Sequence, residues 1–420
     1  MDNIISKQDR SILIELAKKQ LEMSQLPIMQ QKIKNWKALN NFQMKQPMIL
    51  LEMDTFEQEV LPLRMRCEGL AARSIETKLL KNMLPHELFN DDFVVPEYYS
   101  LNWHINFDLF GFKEKRIFAE AEKEQSVGHR FEHIIEDLEK DFEKFKKSDW
   151  GVDREATKKE TDILSDLFEG ILPIRKTMNC LYSVPTQKIV HMMGMENMLI
   201  SIMDYPDLFK EMMSRIVKDT IEFYDWLEKE KLLLPTTDCQ RLGQGTYCYT
   251  KELPEEIANK RFTTQDVWGF MDSQETVGIS PEMYGEFIFP YYKEISARYG
   301  LLSYGCCEPV HPIWEKWLSK LSNLRKISIS PWCDQVYMGE QLQGCNIVFQ
   351  RKPSPNYLGV GEIMDESAVK KHIFETISAA KGCTLEFTQR DVYTIDNNPL
   401  KAHRYVELIR ECIEEKWTPV

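Results

Sequence analysis

Apolar and polar positions follow two different periods along this chain. Over residues 1–45, apolar residues such as Ile5 and Ile12 recur at helical spacing, which predicts a helical N-terminal extension with one buried face. Ser6 is placed to cap its first helix. From Pro47 onward, short apolar runs replace this pattern. The run that ends at Asp54 is typical of a buried strand, because it is continuously apolar before it reaches the acids.

Further apolar runs follow at intervals, with helical periodicity between them. Counting these runs gives about eight strands in alternation with helices, which predicts an α/β protein with the architecture of a TIM (β/α)8 barrel. We therefore expect residues 46–420 to form the barrel and residues 1–45 to form the helical extension. A charged stretch at about 112–172, rich in Glu and Lys, is expected to be a mostly helical excursion from the barrel.

Composition limits the kinds of partner and the cellular compartment that we expect for this protein. The formal net charge of the 420 residues is -13, which argues against a nucleic-acid partner, because phosphate binding depends on clusters of Lys and Arg. No run of about 18 apolar residues occurs, so no membrane span is expected. The N-terminus lacks the apolar core of a signal peptide, and ten cysteines are too few for a disulfide framework. We expect reduced thiols and a cytoplasmic location.

The stretch from Asp266 to Asp334 is the most informative part of the chain. It is predicted to contain three successive parallel strands, and each strand ends in polar or sulfur-bearing residues. Parallel strands joined by helices present their carboxyl ends on one face, where catalytic groups collect. The residues expected on this rim are Asp272, then Tyr304, Cys306, Cys307 and Glu308, then Cys333 and Asp334.

Strand alternation places Tyr304, Cys306 and Glu308 on one side of the chain and Cys307 on the other. Cys306 and Glu308 are therefore expected to converge on the mouth of the barrel. The alternative is structural: two buried thiols and an acid that caps the next helix. For Cys307 alone, the structural alternative is favoured. Asp272 has the same ambiguity, because an Asp after a strand often stabilises the following turn.

Several of these residues carry a resemblance to a known family. The run Gly269-Phe-Met-Asp-Ser273, followed by Ile279 to Tyr291, resembles the uroporphyrinogen decarboxylase superfamily, and most closely its corrinoid-dependent methyltransferases. The resemblance covers about residues 266–408. It implies a barrel that exchanges a methyl group between a corrinoid, held by a partner protein, and a small molecule such as tetrahydrofolate or a thiol. The partner is implied because this chain has no Asp-x-His-x-x-Gly run of its own.

The chain also departs from the family pattern. The arginine-rich run that binds substrate carboxylates in the decarboxylases is missing, and their Gly-His-Gly turn is replaced near Arg390. The zinc-dependent methyltransferases hold zinc with His, Cys and a later Cys. Here Tyr304 stands in place of the His, and no thiol lies near Arg390. We expect zinc to bind weakly or not at all, with Cys306 and Glu308 as the ligands if it binds.

These arguments give a set of candidate site residues. The expected catalytic residues are Cys306, Glu308 and Asp272. Residues expected to bind substrate are Tyr304, Glu52, His104, Trp332, Asp334 and Arg390. The segment Leu242–Tyr249 and the loops after Glu308 and Trp332 are expected to dock the corrinoid protein. Two alternatives to a methyltransferase remain: a uroporphyrinogen decarboxylase, and a barrel that binds a ligand without catalysis.

Overall fold

The computed structural model describes residues 5–118, 129–255 and 261–418. In these ranges the α-helices are α1 Lys7–Ser24, α2 Pro27–Asn40, α3 Leu70–Leu84, α4 Leu138–Asp141, α5 Arg154–Leu167, α6 Pro185–Asp204, α7 Pro206–Lys229, α8 Pro281–Phe287, α9 Phe289–Ser296, α10 His311–Trp314, α11 Gln335–Leu342, α12 Asn356–Gly359, α13 Glu366–Ala379 and α14 Pro399–Lys416. No helix among these residues is long and apolar enough to cross a membrane.

The strands in the same ranges are β1 Met48–Leu51, β2 Tyr99–Leu101, β3 His104–Asp108, β4 Arg116–Phe118, β5 His129–Phe131, β6 Asp149–Asp153, β7 Ile174–Lys176, β8 Leu181–Tyr182, β9 Trp268–Met271, β10 Leu301–Tyr304, β11 Leu324–Ile329, β12 Val348–Arg351 and β13 Thr384–Gln389.

A parallel sheet of seven strands forms the centre of the protein, in the order β1-β13-β12-β11-β10-β9-β8. From β8 to β13 the spatial order follows the chain, and the first strand then pairs with the last. This arrangement confirms the α/β class and is compatible with a barrel. However, no ladder joins β1 to β8 among the residues that the structure describes, so hydrogen bonding does not close the sheet.

Residues 93–98, which follow Asp92, form no strand of this sheet. The chain becomes extended only at β2, which pairs in parallel with β7 in a separate sheet of two strands. Instead, residues just before Phe93 use side chains to hold β1. The carboxylate of Asp92 accepts from the Ile49 N–H at 2.8 Å, and that of Asp91 accepts from the Leu51 N–H at 3.0 Å. Side-chain oxygens thus take the place of a backbone ladder on this side of β1.

Burial explains why the central strands are apolar runs. Every residue of β1, β9, β10 and β12 is buried, as expected for a parallel sheet with both faces covered. The interior also holds charge. Lys326 of β11 donates to Glu386 of β13 at 2.8 Å, and both side chains are completely buried. These two strands are separated by β12, so the ion pair bridges across the inner face of the sheet.

The N-terminal extension is helical, as the apolar spacing predicts. Ser6 caps α1 by accepting the Asp9 N–H at 3.0 Å. In α2, Trp36 is fully buried and its indole N–H donates to the Asp92 carbonyl at 2.9 Å. The same ring lies 5.7 Å from the Lys326 ammonium. The extension therefore packs against the sheet interior and is part of the folded core.

The expectation that residues 112–172 are mostly helical is wrong in the part that the structure describes. The helices α4 and α5 account for some of it, but β4, β5 and β6 lie in the same stretch. β4 pairs with β5, and β6 pairs with β3, both antiparallel. Phe107 of β3 lies opposite Trp150 of β6, with ring centroids 6.0 Å apart. Cross-strand aromatic contacts of this kind stabilise an antiparallel strand pair despite many charged neighbours.

Candidate active site

The candidate site lies at the carboxyl ends of three adjacent strands. Strands β9, β10 and β11 are neighbours in the sheet and run in parallel. Asp272 follows β9 directly, Cys306 follows β10, and Cys333 and Asp334 follow β11. The sequence prediction that these residues lie on one rim is therefore consistent with the observed sheet.

Gly305 changes the direction of the chain between the end of β10 and the thiols of Cys306 and Cys307. Its φ is +100°, a conformation that residues with a Cβ rarely adopt. The strand therefore ends at Tyr304, and the prediction that alternation continues through Glu308 is wrong. The two thiols are not on opposite sides, because the sulfur atoms of Cys306 and Cys307 lie only 3.6 Å apart.

The Glu308 side chain folds back onto the loops that follow β9 and β10. Its Oε1 accepts from the Ser273 N–H at 3.1 Å, and its Oε2 accepts from the Cys306 N–H at 2.8 Å. Burial raises the pKa of this carboxyl above its ordinary value, although these hydrogen bonds act in the opposite direction. Through these hydrogen bonds, Glu308 connects the loop after β9 with the loop after β10.

Asp272 is a second buried acid beside Glu308. It is 1% exposed, and its Oδ1 has no hydrogen-bond partner among the described residues. Burial, and then the proximity of Glu308, raise the pKa of Asp272 well above its ordinary value. A carboxylic acid in this environment keeps its proton at a higher pH than an exposed one. Asp272 is therefore a candidate proton donor at this rim, and its side chain lines neither cavity.

The two neighbouring thiols have different properties. The hydrogen bond between them lowers the pKa of Cys307, and the same bond together with burial raises the pKa of Cys306. Cys306 is buried, whereas Cys307 is half-buried and lines a cavity of about 660 Å³. Sequence reasoning selected Cys306, but Cys307 is the thiol with access to the cavity and the greater tendency to ionise.

Lys352 is a site residue that sequence reasoning missed. It lies just after β12 and is 3% exposed. Its Nζ donates to the Cys306 carbonyl at 3.0 Å and to Gln244 Oε1 at 2.8 Å, and burial lowers its pKa. The sequence signal was weak, because Gln350 and Arg351 rather than apolar residues come directly before Lys352.

Glu52 and Arg390, both expected to contact substrate, lie together at the ends of β1 and β13. Arg390 Nε donates to Glu52 Oε2 at 2.8 Å, and its Nη1 donates to Gln244 Oε1. Glu52 and Gln244 line a second cavity of about 730 Å³. Through Gln244, this pair is connected to Lys352 and hence to the Cys306 loop.

Three other expected site residues have structural contacts. Tyr304 is buried, and its hydroxyl is hydrogen-bonded to Ser273 at 2.6 Å and to Tyr284 at 2.9 Å. Asp334 caps α11 by accepting from two backbone N–H groups at 3.0 Å. His104 lies on β3 and pairs with Glu160 at 2.6 Å. None of these three side chains lines either cavity.

Trp332 is placed differently from these three residues. It is 75% exposed and lines the smaller cavity, together with Cys307. Met195 and Val277, also exposed, line the same cavity. The apolar surface around Cys307 is therefore formed by these side chains.

The segment expected to dock a partner has a different location. Leu242, Tyr247 and Tyr249 are all buried, and Asn40 of α2 donates to the carbonyls of both tyrosines. The prediction of an exposed docking segment at 242–249 is therefore wrong, because these aromatic residues belong to the core. The other two parts of the expected docking surface, the loops after Glu308 and Trp332, are not affected by this finding.

The donor atoms at the rim do not fit a zinc site. Among the residues that the structure describes, no three His, Cys, Asp or Glu side chains are grouped so that they could hold a metal ion. Both Glu308 oxygens already accept backbone N–H groups, and Cys306 contacts the Cys307 sulfur. Four-coordinate zinc needs three or four protein donors. These residues therefore do not support a catalytic role for zinc at this rim.

Comparison with known proteins gives little further information. No family model matches the chain, and no curated protein matches it. Among solved structures, a methyltransferase from Methanosarcina mazei is similar with a TM-score of 0.49 and 12% sequence identity. The similarity covers 90% of this chain and 98% of that chain. At this level it gives no information about the reaction or the substrate, so the function is argued from the site.

Proposed function

We propose that this protein is a methyltransferase that exchanges a methyl group between the corrinoid of a partner protein and a small donor or acceptor, such as tetrahydrofolate or a thiol. Residues 46–420 would form one barrel-like domain related to the uroporphyrinogen decarboxylase superfamily, with 1–45 as its extension. The observation that supports the proposal is the pair of buried acids Asp272 and Glu308, of which Glu308 lines the same cavity as Cys307.

A buried acid matches the chemical requirement of demethylation. When a methyl group leaves an oxygen or nitrogen atom, the bond breaks and its electron pair stays on that atom, which then needs a proton. Asp272 would donate this proton, because its pKa is raised and its Oδ1 has no hydrogen-bond partner in the part of the chain that the structure describes. The corrinoid of the partner protein would supply the nucleophile that accepts the methyl group. Water then returns a proton to Asp272.

The neighbouring groups would position this chemistry. Glu308 holds the Asp272 loop through the Ser273 N–H, and Lys352 holds the Cys306 carbonyl. Cys307, rather than the predicted Cys306, would contact the substrate, because it lines the cavity. The exposed apolar residues Trp332 and Val277 surround the same opening and would contact the partner or its corrinoid.

The test measures methyl transfer to free cob(I)alamin. Methyltetrahydrofolate, a methylated amine and a methyl aryl ether serve as donors, and the absorbance of cob(I)alamin reports its consumption. We expect acceleration with at least one donor, and a loss of about 100-fold or more in the Asp272→Asn variant, because that change removes the proton. Cys345→Ser, which alters an exposed thiol, should leave the rate unchanged.

Two results would contradict the proposal. One is the absence of acceleration with every donor, both with free cob(I)alamin and with corrinoid proteins. The other is full activity of the Asp272→Asn variant, which would remove the assigned proton donor. Conversion of uroporphyrinogen to coproporphyrinogen would instead favour a decarboxylase.

A further inference from the structure

Gln244 occupies an unusual position between two cations. Its Oε1 accepts from Lys352 Nζ at 2.8 Å and also from Arg390 Nη1. The amide is neutral, so its oxygen carries only a partial negative charge. A carboxylate oxygen in the same place would make charge-assisted hydrogen bonds with both cations, which are roughly twice as strong as neutral ones.

The charges around Gln244 are incompletely paired. Arg390 has one carboxylate partner, Glu52, at 2.8 Å. Lys352 has no carboxylate within ion-pair distance among the described residues, and its other contact is the Cys306 carbonyl. Two largely buried cations therefore share one carboxylate. Burying a cation without a counter-ion is costly, and an anionic ligand would reduce this cost.

Gln244 can be reached from the larger cavity, which it lines together with Glu52. Its φ is +71° and that of Gly245 is +85°, so the loop is in a conformation that suits glycine. Phe93, Tyr98 and Tyr247 supply apolar wall. A volume of about 730 Å³ is sufficient for a drug-sized small molecule.

Two further cations line this cavity without a carboxylate partner. Arg241 lies over the ring of Phe93 at 4.9 Å, and Lys78 over that of Tyr99 at 4.7 Å. Neither forms an ion pair within the described residues, whereas the acids Glu52 and Asp54 of the same wall are paired with Arg390 and Lys81. A third acid of the wall, Glu160, contacts His104 at 2.6 Å, so Lys78 and Arg241 are the charged lining side chains of the described residues that lie outside these pairs.

We propose that this cavity binds a small organic acid, whose carboxylate replaces the Gln244 amide oxygen between Lys352 and Arg390. The role of this acid as methyl donor or acceptor rests on the proposed function. The binding of an acid by this cavity does not depend on that function. The carboxylate would lie next to the lysine that holds the Cys306 carbonyl. The other end of the organic acid would contact the aromatic wall of the cavity.

The test compares benzoate with benzamide, which has the same ring but no charge, by isothermal titration calorimetry without any corrinoid. We expect the wild type to bind benzoate at least about tenfold more tightly, as one charge-assisted hydrogen bond predicts. Gln244→Gly should bind benzoate several-fold more tightly than the wild type, because no side chain has to be displaced and glycine accepts the positive φ. Gln343→Ala, which alters an exposed glutamine outside this cavity, is the control.

Lys352→Met should lose the preference for benzoate, provided that its thermal unfolding shows a folded protein. The Gln244→Gly result does not depend on that variant. Equal binding of benzoate and benzamide, or no gain in Gln244→Gly, would overturn the proposal. Inorganic phosphate that binds as tightly as benzoate would overturn the carboxylate assignment. Since no turnover is measured, these results are separate from the methyl-transfer test.

Discussion

At the scale of single residues, the candidate site consists of titratable side chains for which burial disfavours the charged form. Asp272 and Glu308 are buried acids with raised pKa values, and Lys352 is a buried amine with a lowered one. Such shifts are common in active sites, because burial matches the proton affinity of a group to its chemical task.

The pKa of Asp272 leads to a prediction about stability. Because it is raised in the folded state, the native protein binds more protons than the unfolded chain above the ordinary pKa of 3.8. Stability is therefore lost as pH rises towards the folded pKa. Asp272→Asn is neutral and should not share this loss. As pH rises above 3.8 towards the folded pKa, we expect the wild type to lose stability relative to this variant.

Urea unfolding of both proteins at several pH values measures this difference. Asp334→Asn, the same substitution at an exposed helix cap, is the control and should follow the wild type. Parallel stability curves for the wild type and Asp272→Asn would show that the Asp272 carboxyl does not titrate as proposed.

The sequence predicted some of these residues better than others. Asp272, Glu52 and Arg390 follow buried strands, so the position of a polar residue at a strand end was sufficient to find them. The choice between Cys306 and Cys307 depended on the conformation of Gly305, which a strand pattern does not specify. Lys352 lacked a recognised chemical role, and its importance depends on Gln244, which is distant in sequence.

At the scale of elements, the end of β10 controls the site. A Cβ on Gly305 would lie 3.0 Å from the Ser328 Cβ, in a backbone conformation that is strained for alanine. We expect Gly305→Ala to lower the free energy of unfolding by about 1–3 kcal/mol. It should also change the rate at which Cys307 reacts with a thiol reagent, because the loop must move.

Gly278→Ala is the matched control for this variant. A Cβ there would meet Leu199 at an ordinary contact distance of 3.5 Å, and the backbone is not left-handed. Thermal unfolding and thiol titration measure both variants in a Cys345→Ser background. An unchanged thiol rate in Gly305→Ala would argue that the turn does not position Cys307.

Element types were predicted where the periodicity was strong. The continuous apolar runs of β1, β9 and β10 indicated parallel strands, because only a sheet covered on both faces needs them. The strands within residues 112–172 were not predicted, because β6, for example, is stabilised by pairing with β3, which places Trp150 opposite the sequence-distant Phe107. The side of β1 held by Asp91 and Asp92 likewise has no strand pattern.

At the scale of the whole molecule, the buried Lys326–Glu386 pair connects β11 with β13. Lys326→Met should destabilise the protein by about 3–5 kcal/mol, because it leaves Glu386 buried without a counter-ion. Replacing both residues with Met removes both charges, so the double variant should be clearly more stable than either single variant. Urea unfolding of the four proteins gives the coupling energy, and simple additivity would contradict the prediction.

The missing ladder between β1 and β8 affects how two reactants could meet. The larger cavity is lined by residues that follow β1 and by the 240–247 segment, whereas the smaller cavity lies beyond β9 and β10. Lys352 and Gln244 stand between them. A small acid in one cavity would leave the other free for a bulky partner, so neither reactant would have to depart before the next arrives. For a methyl exchange, room for both reactants at once favours a ternary complex over a route in which one reactant leaves before the other binds.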